Sequence, residues 1–233
     1  MLNLQEFHSH VLACYPQEAC GLVIEDSFLP LPNVSTEPID NFMMEEGTYL
    51  TYEDHIDCII HSHTFIPTTF DARTPSLADM ELAKATALPQ GIVHTDGEYI
   101  SDLLYFNTTT PPALEKRPYI CGVYDCFTIV RDFYIQEYNY LIDILPRPPN
   151  WEAWDNSYML SNLDSQGLTK LPVGTPLERG DVLVFRIGSN VPNHVGVYLG
   201  QDTFIHHLNK RLSNIDTLPK WDRQRYANYR LVT

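Results

Sequence analysis

Apolar positions in the first part of the chain recur at helical spacing and then at strand spacing. One opening amphipathic helix is predicted by apolar residues at helical intervals and by the proline that ends them, namely Leu4, Phe7, Val11, Leu12 and Pro16. Short apolar runs then predict strands at residues 19–24, 58–63 and 91–94. A second amphipathic helix is predicted from about Ser76 to Leu88. This alternation of strands and helices favours an α/β fold.

The pattern changes in the second part of the chain. Asp125 precedes a long helical pattern at residues 127–142, so it is the predicted N-cap. Three short β-rich runs follow, at residues 181–185, 194–200 and 203–208, with turn residues between them. This order favours an α+β fold with an antiparallel sheet. Residues 145–177 show no regular period and are predicted to be irregular.

A linker between the two patterns is predicted at residues 109–118, where three prolines and a short charged cluster follow an apolar stretch. The predicted domains are therefore residues 1–108 and 119–233. Charge supports this division, because residues 1–110 contain 17 acidic side chains but only Arg73 and Lys84 as basic ones. The remaining residues contain 13 of each sign, so the whole net charge of −15 belongs to the first part.

Composition excludes several classes of protein. A mixture of 44% hydrophobic and 19% charged residues is typical of a folded chain. Thirty acidic against 15 basic residues argue against binding nucleic acid by neutralising phosphates. No apolar run approaches the roughly 18 residues that span a bilayer, and the first residues lack a signal peptide's pattern. Five cysteines without a CxxC pair indicate reduced thiols, so we expect a product made in the cytoplasm.

A chelating arrangement is predicted in the first domain. His61 and His63 end an apolar strand, and the two-residue repeat of a strand turns both imidazoles to one side. Asp79 lies just inside the second predicted helix, where its carboxylate can complete three protein ligands and leave a fourth position for water. Metal-assisted hydrolysis also needs a carboxylate that moves the proton of that water, and Glu18 is the candidate.

These residues, with Ser76, resemble the motif of the JAMM (MPN-type) zinc metallopeptidases. The chain contains Glu18 in E-A-C-G-L, then H-S-H, then Ser76 in P-S-L-A-D. The resemblance implies zinc bound by three ligands, His61, His63 and Asp79. It also implies that Glu18 is the general base and that Ser76 supports the tetrahedral intermediate.

Two departures from the JAMM motif affect the zinc prediction. Thr64 stands where the family usually has proline, and the spacer to the serine is about five residues longer. His94 and Asp71 are substitute ligands of lower rank, since each is more often an ordinary polar residue at a strand end or in a loop.

A thiol nucleophile is predicted in the second domain. Cys126 follows the N-cap, where the positive end of a helix stabilises thiolate over thiol. His194 is the predicted base, and a β-hairpin can bring His206 beside it to orient its ring. His207 is a rival for that third role, but neighbouring residues of a strand face opposite sides, so at most one of the two points toward His194.

The succession of Y-D-C, a helix and three strands is similar to the NlpC family of papain-like cysteine peptidases. The resemblance implies that Cys126, His194 and His206 are the catalytic residues, and that the substrate is an amide in the peptide stem of peptidoglycan, often next to a D-glutamyl or diaminopimelyl residue. The usual D-C-S-G is here D-C-F-T, so Phe127 and Thr128 depart from the family pattern.

A JAMM-like module followed by an NlpC-like module resembles the tail tip proteins of long-tailed bacteriophages related to lambda. The resemblance implies other tail tip proteins and peptidoglycan as partners, with the host cytoplasm and then the virion tail tip as locations. It also implies local opening of the cell wall as DNA passes into the host. The alternative is a structural tail component in which one or both sites are degenerate.

Overall fold

Backbone contacts divide the chain into two units. The computed structural model describes residues 4–64, 71–146 and 157–232. The first unit comprises residues 1–75 and 85–108, and the second comprises residues 76–84 and 109–233. The longer spacer predicted before Ser76 lies partly outside the described residues, at positions 65–70.

The first unit is built on a five-stranded sheet with neighbouring strands in the order β2-β1-β3-β4-β5. Its elements are α1 (Leu4–Cys14), β1 (Cys20–Ile24), β2 (Ser27–Leu31), α2 (Glu46–Tyr52), β3 (Ile56–His63), β4 (Gln90–His94) and β5 (Leu104–Phe106). The pair β3–β4 is parallel and the other pairs are antiparallel. A further helix, α3 (Leu77–Thr86), precedes β4 in the chain, and most of it is grouped with the second unit.

Helix α1 lies where the apolar pattern predicts it. Phe7 and Val11 are fully buried and pack with side chains of β1, β3 and β4. Leu12, which also belongs to the apolar pattern, is 45% exposed. Leu12 follows Val11 directly, and one residue along a helix turns the side chain by about 100°, away from the buried stripe.

The second unit has a six-stranded sheet in the order β10-β9-β8-β7-β11-β6. The strand pairs among its described residues are all antiparallel, as the sequence predicts. The elements are α4 (Cys126–Tyr138), α5 (Ser157–Ser165), β6 (Leu168–Lys170), β7 (Val182–Phe185), β8 (His194–Gly200), β9 (Thr203–His206), β10 (Asn214–Thr217) and β11 (Arg225–Leu231). No helix among the described residues is long and apolar enough to span a membrane.

Helix α4 packs on the sheet of the second unit and forms its main core. The helix contributes Ile129, Val130 and Phe133, which are all fully buried. They share one cluster with Val195 and Val197 of β8. Because β-strand residues alternate between faces, these two valines face α4, and His194 begins the same strand on the opposite face.

Residues 145–177 are not irregular throughout, which corrects the prediction. Helix α5 and strand β6 both lie in this stretch, and residues 147–156 are outside the described part. Met159 and Leu163 lie four residues apart and are buried in the α4 core. This single apolar pair is too short a pattern to be recognised beside the neighbouring proline, tryptophan and asparagine residues.

The residues predicted as a linker are attached to the second unit. The guanidinium of Arg117 donates to Asp132 of α4 at 2.5 Å and to the Ala113 carbonyl at 2.8 Å. Ser213 bonds the same segment, because its hydroxyl donates to the Leu114 carbonyl at 2.7 Å. A buried ion pair therefore holds a stretch that composition alone predicts to be a free connection.

Removing the charge of Asp132 should destabilise the second unit. Asp132 is 4% exposed and also accepts from Arg131 at 2.9 Å, so Asp132→Asn leaves two buried guanidinium groups without their counter-charge. We expect the free energy of unfolding in urea to fall by about 3–5 kcal/mol.

The matched control is Glu137→Gln, which breaks the half-exposed ion pair with Arg179. This change should cost less than about 1 kcal/mol. Equal losses in the two variants would contradict the role assigned to the Arg117–Asp132 pair.

Candidate active site

The carboxylate of Asp125 organises the start of helix α4. Its Oδ1 accepts the backbone N–H groups of Phe127 at 3.0 Å and Thr128 at 3.1 Å. Its Oδ2 accepts the Gly122 N–H at 2.7 Å, and Thr128 Oγ1 accepts the Asp125 N–H at 2.8 Å, which completes a capping box. Asp125 is therefore the N-cap that the sequence predicts, although it is fully buried.

Cys126 is the first residue of α4 and is only 4% exposed. Helix α4 contacts β8 and β9, the strands that carry His194 and His206. The structure explains the departure from D-C-S-G at two positions. Phe127 fills the core at 1% exposure, and Thr128 supplies the side chain of the capping box.

His194 and His206 meet across the β8–β9 hairpin. Gly196 is the register partner of His206, and His194 lies two residues before Gly196 on the same face. The two imidazoles are therefore diagonal neighbours, with His194 Nε2 3.0 Å from His206 Nδ1. Gly196 keeps this arrangement open, since a Cβ there would lie 2.7 Å from the Ile205 carbonyl oxygen and 3.1 Å from His206 Cβ.

The histidine pair is enclosed by aromatic rings. Phe204 lies 4.6 Å from His206 and Phe185 lies 5.9 Å from His194, measured between ring centroids. Trp221 approaches both imidazoles, at 5.0 Å from His206 and 6.4 Å from His194. Burial lowers the pKa of His194 well below its ordinary value and lowers the pKa of His206 to about 4. Both rings are therefore neutral at pH 7.

His207, the rival for the third role, makes its hydrogen bond and its ring contact with other residues. Its Nε2 is 3.0 Å from the Arg211 carbonyl oxygen, and its ring meets the ring of Tyr119 edge to face at 5.4 Å. The hairpin register therefore places His206, rather than His207, beside His194.

The two histidines of the first unit are also in contact. His61 Nε2 lies 3.1 Å from His63 Nε2 at the end of β3. His63 Nδ1 lies 3.1 Å from the Ala72 carbonyl oxygen. A carbonyl can only accept, so His63 carries its proton on Nδ1 and its Nε2 presents a lone pair. Nitrogen or oxygen atoms of His61, His63 and Asp79 all lie within 4.8 Å of one another.

Asp79 and Ser76 also bond each other at the start of α3. The Ser76 N–H donates to Asp79 Oδ2 at 2.7 Å, and the Asp79 N–H donates to Ser76 Oγ at 3.1 Å. Glu18 is buried next to Ala19, whose backbone N–H donates to Ser62 Oγ at 2.9 Å. Strand pairing thus brings the chain at Glu18 alongside the histidine strand.

The substitute ligands have other positions. His94 is the parallel partner of His63, and burial lowers its pKa. Asp71 is engaged by Arg73, whose Nε and Nη2 donate to its carboxylate at 2.9 and 2.8 Å. Neither residue belongs to the group of close donors found among the described residues.

Three residues near these sites were not predicted from the sequence: Gly196, Ala72 and Trp221. A glycine two positions after a strand histidine is a usable signal for a ring packed from the neighbouring strand. Ala72 acts through its backbone carbonyl and Trp221 through a contact between segments, so neither carries a local signal.

A cysteine at the start of a helix that packs on an antiparallel sheet is the arrangement of a papain-like cysteine peptidase domain. Comparison with known families agrees, because residues 115–230 match the NlpC/P60 family model. A solved structure, the NlpC/p60 domain of peptidoglycan hydrolase SagA, is 20% identical, with a TM-score of 0.36, and the match covers 50% of this chain and 89% of that one.

Two curated relatives extend the comparison. Tail tip assembly protein K of Escherichia phage N15 is 30% identical over 216 residues, which cover 88% of this chain and 84% of the relative. The protein of the same name from Escherichia phage lambda is 34% identical over 120 residues, 51% of this chain and 59% of the relative. The chain belongs to the tail tip assembly protein K family of lambda-like phages.

The buried His206 should make stability depend on pH. Its folded-state pKa of about 4 lies below the ordinary value of 6.5, so between these values the unfolded chain binds a proton that the folded chain excludes. The contribution of His206 to stability is therefore lost as pH falls from about 6.5 to about 4. Between pH 7 and pH 4 we expect a loss of about 3 kcal/mol from this group.

Urea unfolding of the wild type and of His206→Asn at both pH values measures this loss. The variant should lose less stability than the wild type over the same range, whereas the exposed His55→Asn should behave as the wild type does. The same pH dependence in His206→Asn and the wild type would contradict this account.

Proposed function

We propose that this protein is a phage tail tip assembly protein whose second unit hydrolyses an amide in the peptide stem of peptidoglycan. Cys126 is the nucleophile, His194 the base and His206 the residue that orients the base. The observation that carries the proposal is the 3.0 Å contact between His194 and His206 on strands that pack against the helix begun by Cys126. The match of residues 115–230 to the NlpC/P60 family supports it.

The hydrogen bond between the imidazoles determines which nitrogen does the chemistry. When His194 donates from Nε2 to His206 Nδ1, its own Nδ1 is unprotonated and can accept the Cys126 proton. The thiolate then attacks the carbonyl carbon, and His194 returns the proton to the leaving amine. Water repeats the sequence on the acyl-enzyme and restores the thiol.

The capping of α4 narrows the choice of oxyanion donors. The N–H groups of Phe127 and Thr128 donate to Asp125, so they are committed to the helix cap. We therefore propose that the developing oxyanion is held by backbone N–H groups of the helix start other than these two.

We also propose a zinc site formed by His61, His63 and Asp79. The donor set fits, because two nitrogen ligands of tetrahedral zinc at about 2.0–2.1 Å lie about 3.3 Å apart, close to the 3.1 Å between the two Nε2 atoms. The bond from His63 Nδ1 to the Ala72 carbonyl is the second contact that orients metal-binding histidines. Bound zinc would supply an activated water, with Glu18 moving its proton and Ser76 supporting the intermediate.

The family relationship supports a role in the virion. The matched relatives are named as tail tip assembly proteins, and we propose that this chain reaches the tail tip after assembly in the host cytoplasm. There the peptidase would open peptidoglycan locally as DNA passes into the cell. The partners would be other tail tip proteins and the cell wall.

Replacing the nucleophile should abolish hydrolysis. Cys126→Ser should stop the release of stem-peptide fragments from purified peptidoglycan, measured by mass spectrometry, because the alcohol ionises far less readily than the thiol. Cys121→Ser, in the same core cluster, is the matched control and should keep the activity of its folded fraction.

Alkylation provides a second readout. Iodoacetamide should label Cys126 at neutral pH in the wild type and label it more slowly in His194→Ala. Unchanged release from Cys126→Ser would remove the thiol from the mechanism. No release from the wild type, with Cys126 unreactive, would favour the structural role in tail assembly.

Zinc content tests the proposed site of His61, His63 and Asp79. Protein purified without chelator should contain about one zinc per chain by elemental mass spectrometry. His63→Ala and Asp79→Asn should reduce this content at least tenfold, since each removes one of three protein ligands. His55→Ala, an exposed histidine just before β3, should leave it unchanged. Equal metal content in all four proteins would contradict the site.

A further inference from the structure

Trp221 lies against the histidine pair on the side opposite the core of α4. It follows the short 3-10 turn Leu218–Lys220, and its backbone N–H donates to the Leu218 carbonyl at 2.8 Å. Its ring is nearly parallel to that of His194, at an interplanar angle of 27°, and nearly perpendicular to that of His206, at 81°. One side chain thus approaches both imidazoles.

The orientation of Trp221 is fixed by Asp216 of β10. The indole Nε1–H donates to Asp216 Oδ2 at 3.0 Å, while Asp216 Oδ1 accepts the Thr217 N–H at 2.8 Å. Asp216 is the register partner of Phe204, two residues before His206 on β9. The carboxylate therefore belongs to the same sheet as the histidines and links the position of the indole to that sheet.

The packing around Trp221 is aromatic on its inner side. Its ring centroid lies 5.9 Å from Phe185 and 5.9 Å from Phe204, and both of those residues are fully buried. Trp221 itself is partly buried, so its ring separates the imidazole pair from solvent. Removing it would admit water to His206, whose Nε2 is buried without a hydrogen-bond partner among the described residues.

The geometry points to Trp221 as a positioning residue for the proposed peptidase, held by Asp216 and covering the hydrogen bond between His194 and His206. A ring at this place limits rotation of both imidazoles and excludes water that would compete for their mutual hydrogen bond. His194 then keeps the orientation in which its Nδ1 receives the thiol proton. The expected effect of Trp221 on hydrolysis rests on the proposed function, whereas its covering of the two imidazoles does not.

Three titratable groups bear on His206, and a fourth charged group contacts one of them. They are His194 on β8, the adjacent His207, Asp216 on β10, and Lys220, which contacts Asp216 at 3.4 Å. Asp216 favours the protonated form of His206, whereas burial and His207 oppose it. A change in the covering ring alters the burial and leaves these four groups in place.

The test combines kinetics with a direct titration of the histidines. Trp221→Ala should lower kcat on stem-peptide substrate at least tenfold, with KM within twofold, and Trp221→Phe should have a smaller effect because a ring is retained. In the full-length Cys126→Ala background, nuclear magnetic resonance should show the pKa of His206 rising by at least one unit in Trp221→Ala.

Asp216 is tested through its effect on Trp221. Asp216→Ala, which removes the acceptor of the indole N–H, should lower kcat in the wild type but have little further effect in the Trp221→Phe background, because that ring has no N–H to hold. Asp222→Asn is the matched control: it removes an equal charge next to Trp221, from an ion pair with Arg225. It should change neither kcat nor the pKa of His206.

The kinetic measurement and the titration of His206 distinguish failure of this inference from failure of the proposed function. If the pKa of His206 moves as expected while the wild type lacks hydrolytic activity, the proposed peptidase fails and the covering role of Trp221 stands. If Trp221→Ala is folded and leaves both kcat and the pKa unchanged, the inference is overturned. Equal effects of Asp216→Ala in both backgrounds would overturn the part assigned to Asp216.

Discussion

A single hydrogen bond between two neutral imidazoles is the constraint around which the second unit is arranged. His194 and His206 reach each other because a glycine on β8 leaves room for a ring from β9. Neither ring bears a charge at neutral pH, since burial disfavours protonation of both. The location of one proton on this pair therefore decides whether Nδ1 of His194 is free to accept a proton, and the aromatic surroundings keep water away from the hydrogen bond.

The two units orient histidine by the same physical means. In the first unit a backbone carbonyl, that of Ala72, fixes the proton of His63 on Nδ1 and presents Nε2 to its neighbour. In the second unit the fixed partner is His206, whose Nδ1 is in hydrogen-bond contact with His194 Nε2. In each case one ring nitrogen is engaged by a fixed partner so that the other has a defined role. This shared principle serves metal binding in one proposal and proton transfer in the other.

Burial of polar groups in the second unit is matched by hydrogen bonding. The carboxylate of Asp125 accepts three backbone N–H groups, and that of Asp132 lies between two guanidinium groups. Burying a carboxylate costs free energy unless it has hydrogen-bond partners. The partners of these two carboxylates include groups from outside the helix, so each carboxylate connects separate segments of the chain. Asp125 joins the preceding turn to α4, and Asp132 joins α4 to the residues before it. The position of Cys126 depends on both connections.

Local pattern was sufficient for much of the fold and for the chemical types in the site. Periods of 3.6 and 2 residues located α1, α4 and the strands that carry the histidines, because these repeats reflect one buried face of each element. The Asp125 cap was also readable, since capping involves neighbours in the chain. Cys126, His194, His61 and His63 were singled out by their residue types, by their positions at helix and strand ends, and by the resemblance to two peptidase families.

Tertiary structure decided what depends on contacts between distant segments. Strand register, rather than order along the chain, placed His206 instead of His207 beside His194. The attachment of residues 109–118 depends on Arg117 meeting a helix residue fifteen positions later. Trp221 covers the imidazoles from a segment that no local repeat connects to them. A sequence specifies such contacts only through the whole fold, because their energy arises from packing between elements and not from the preferences of neighbouring residues.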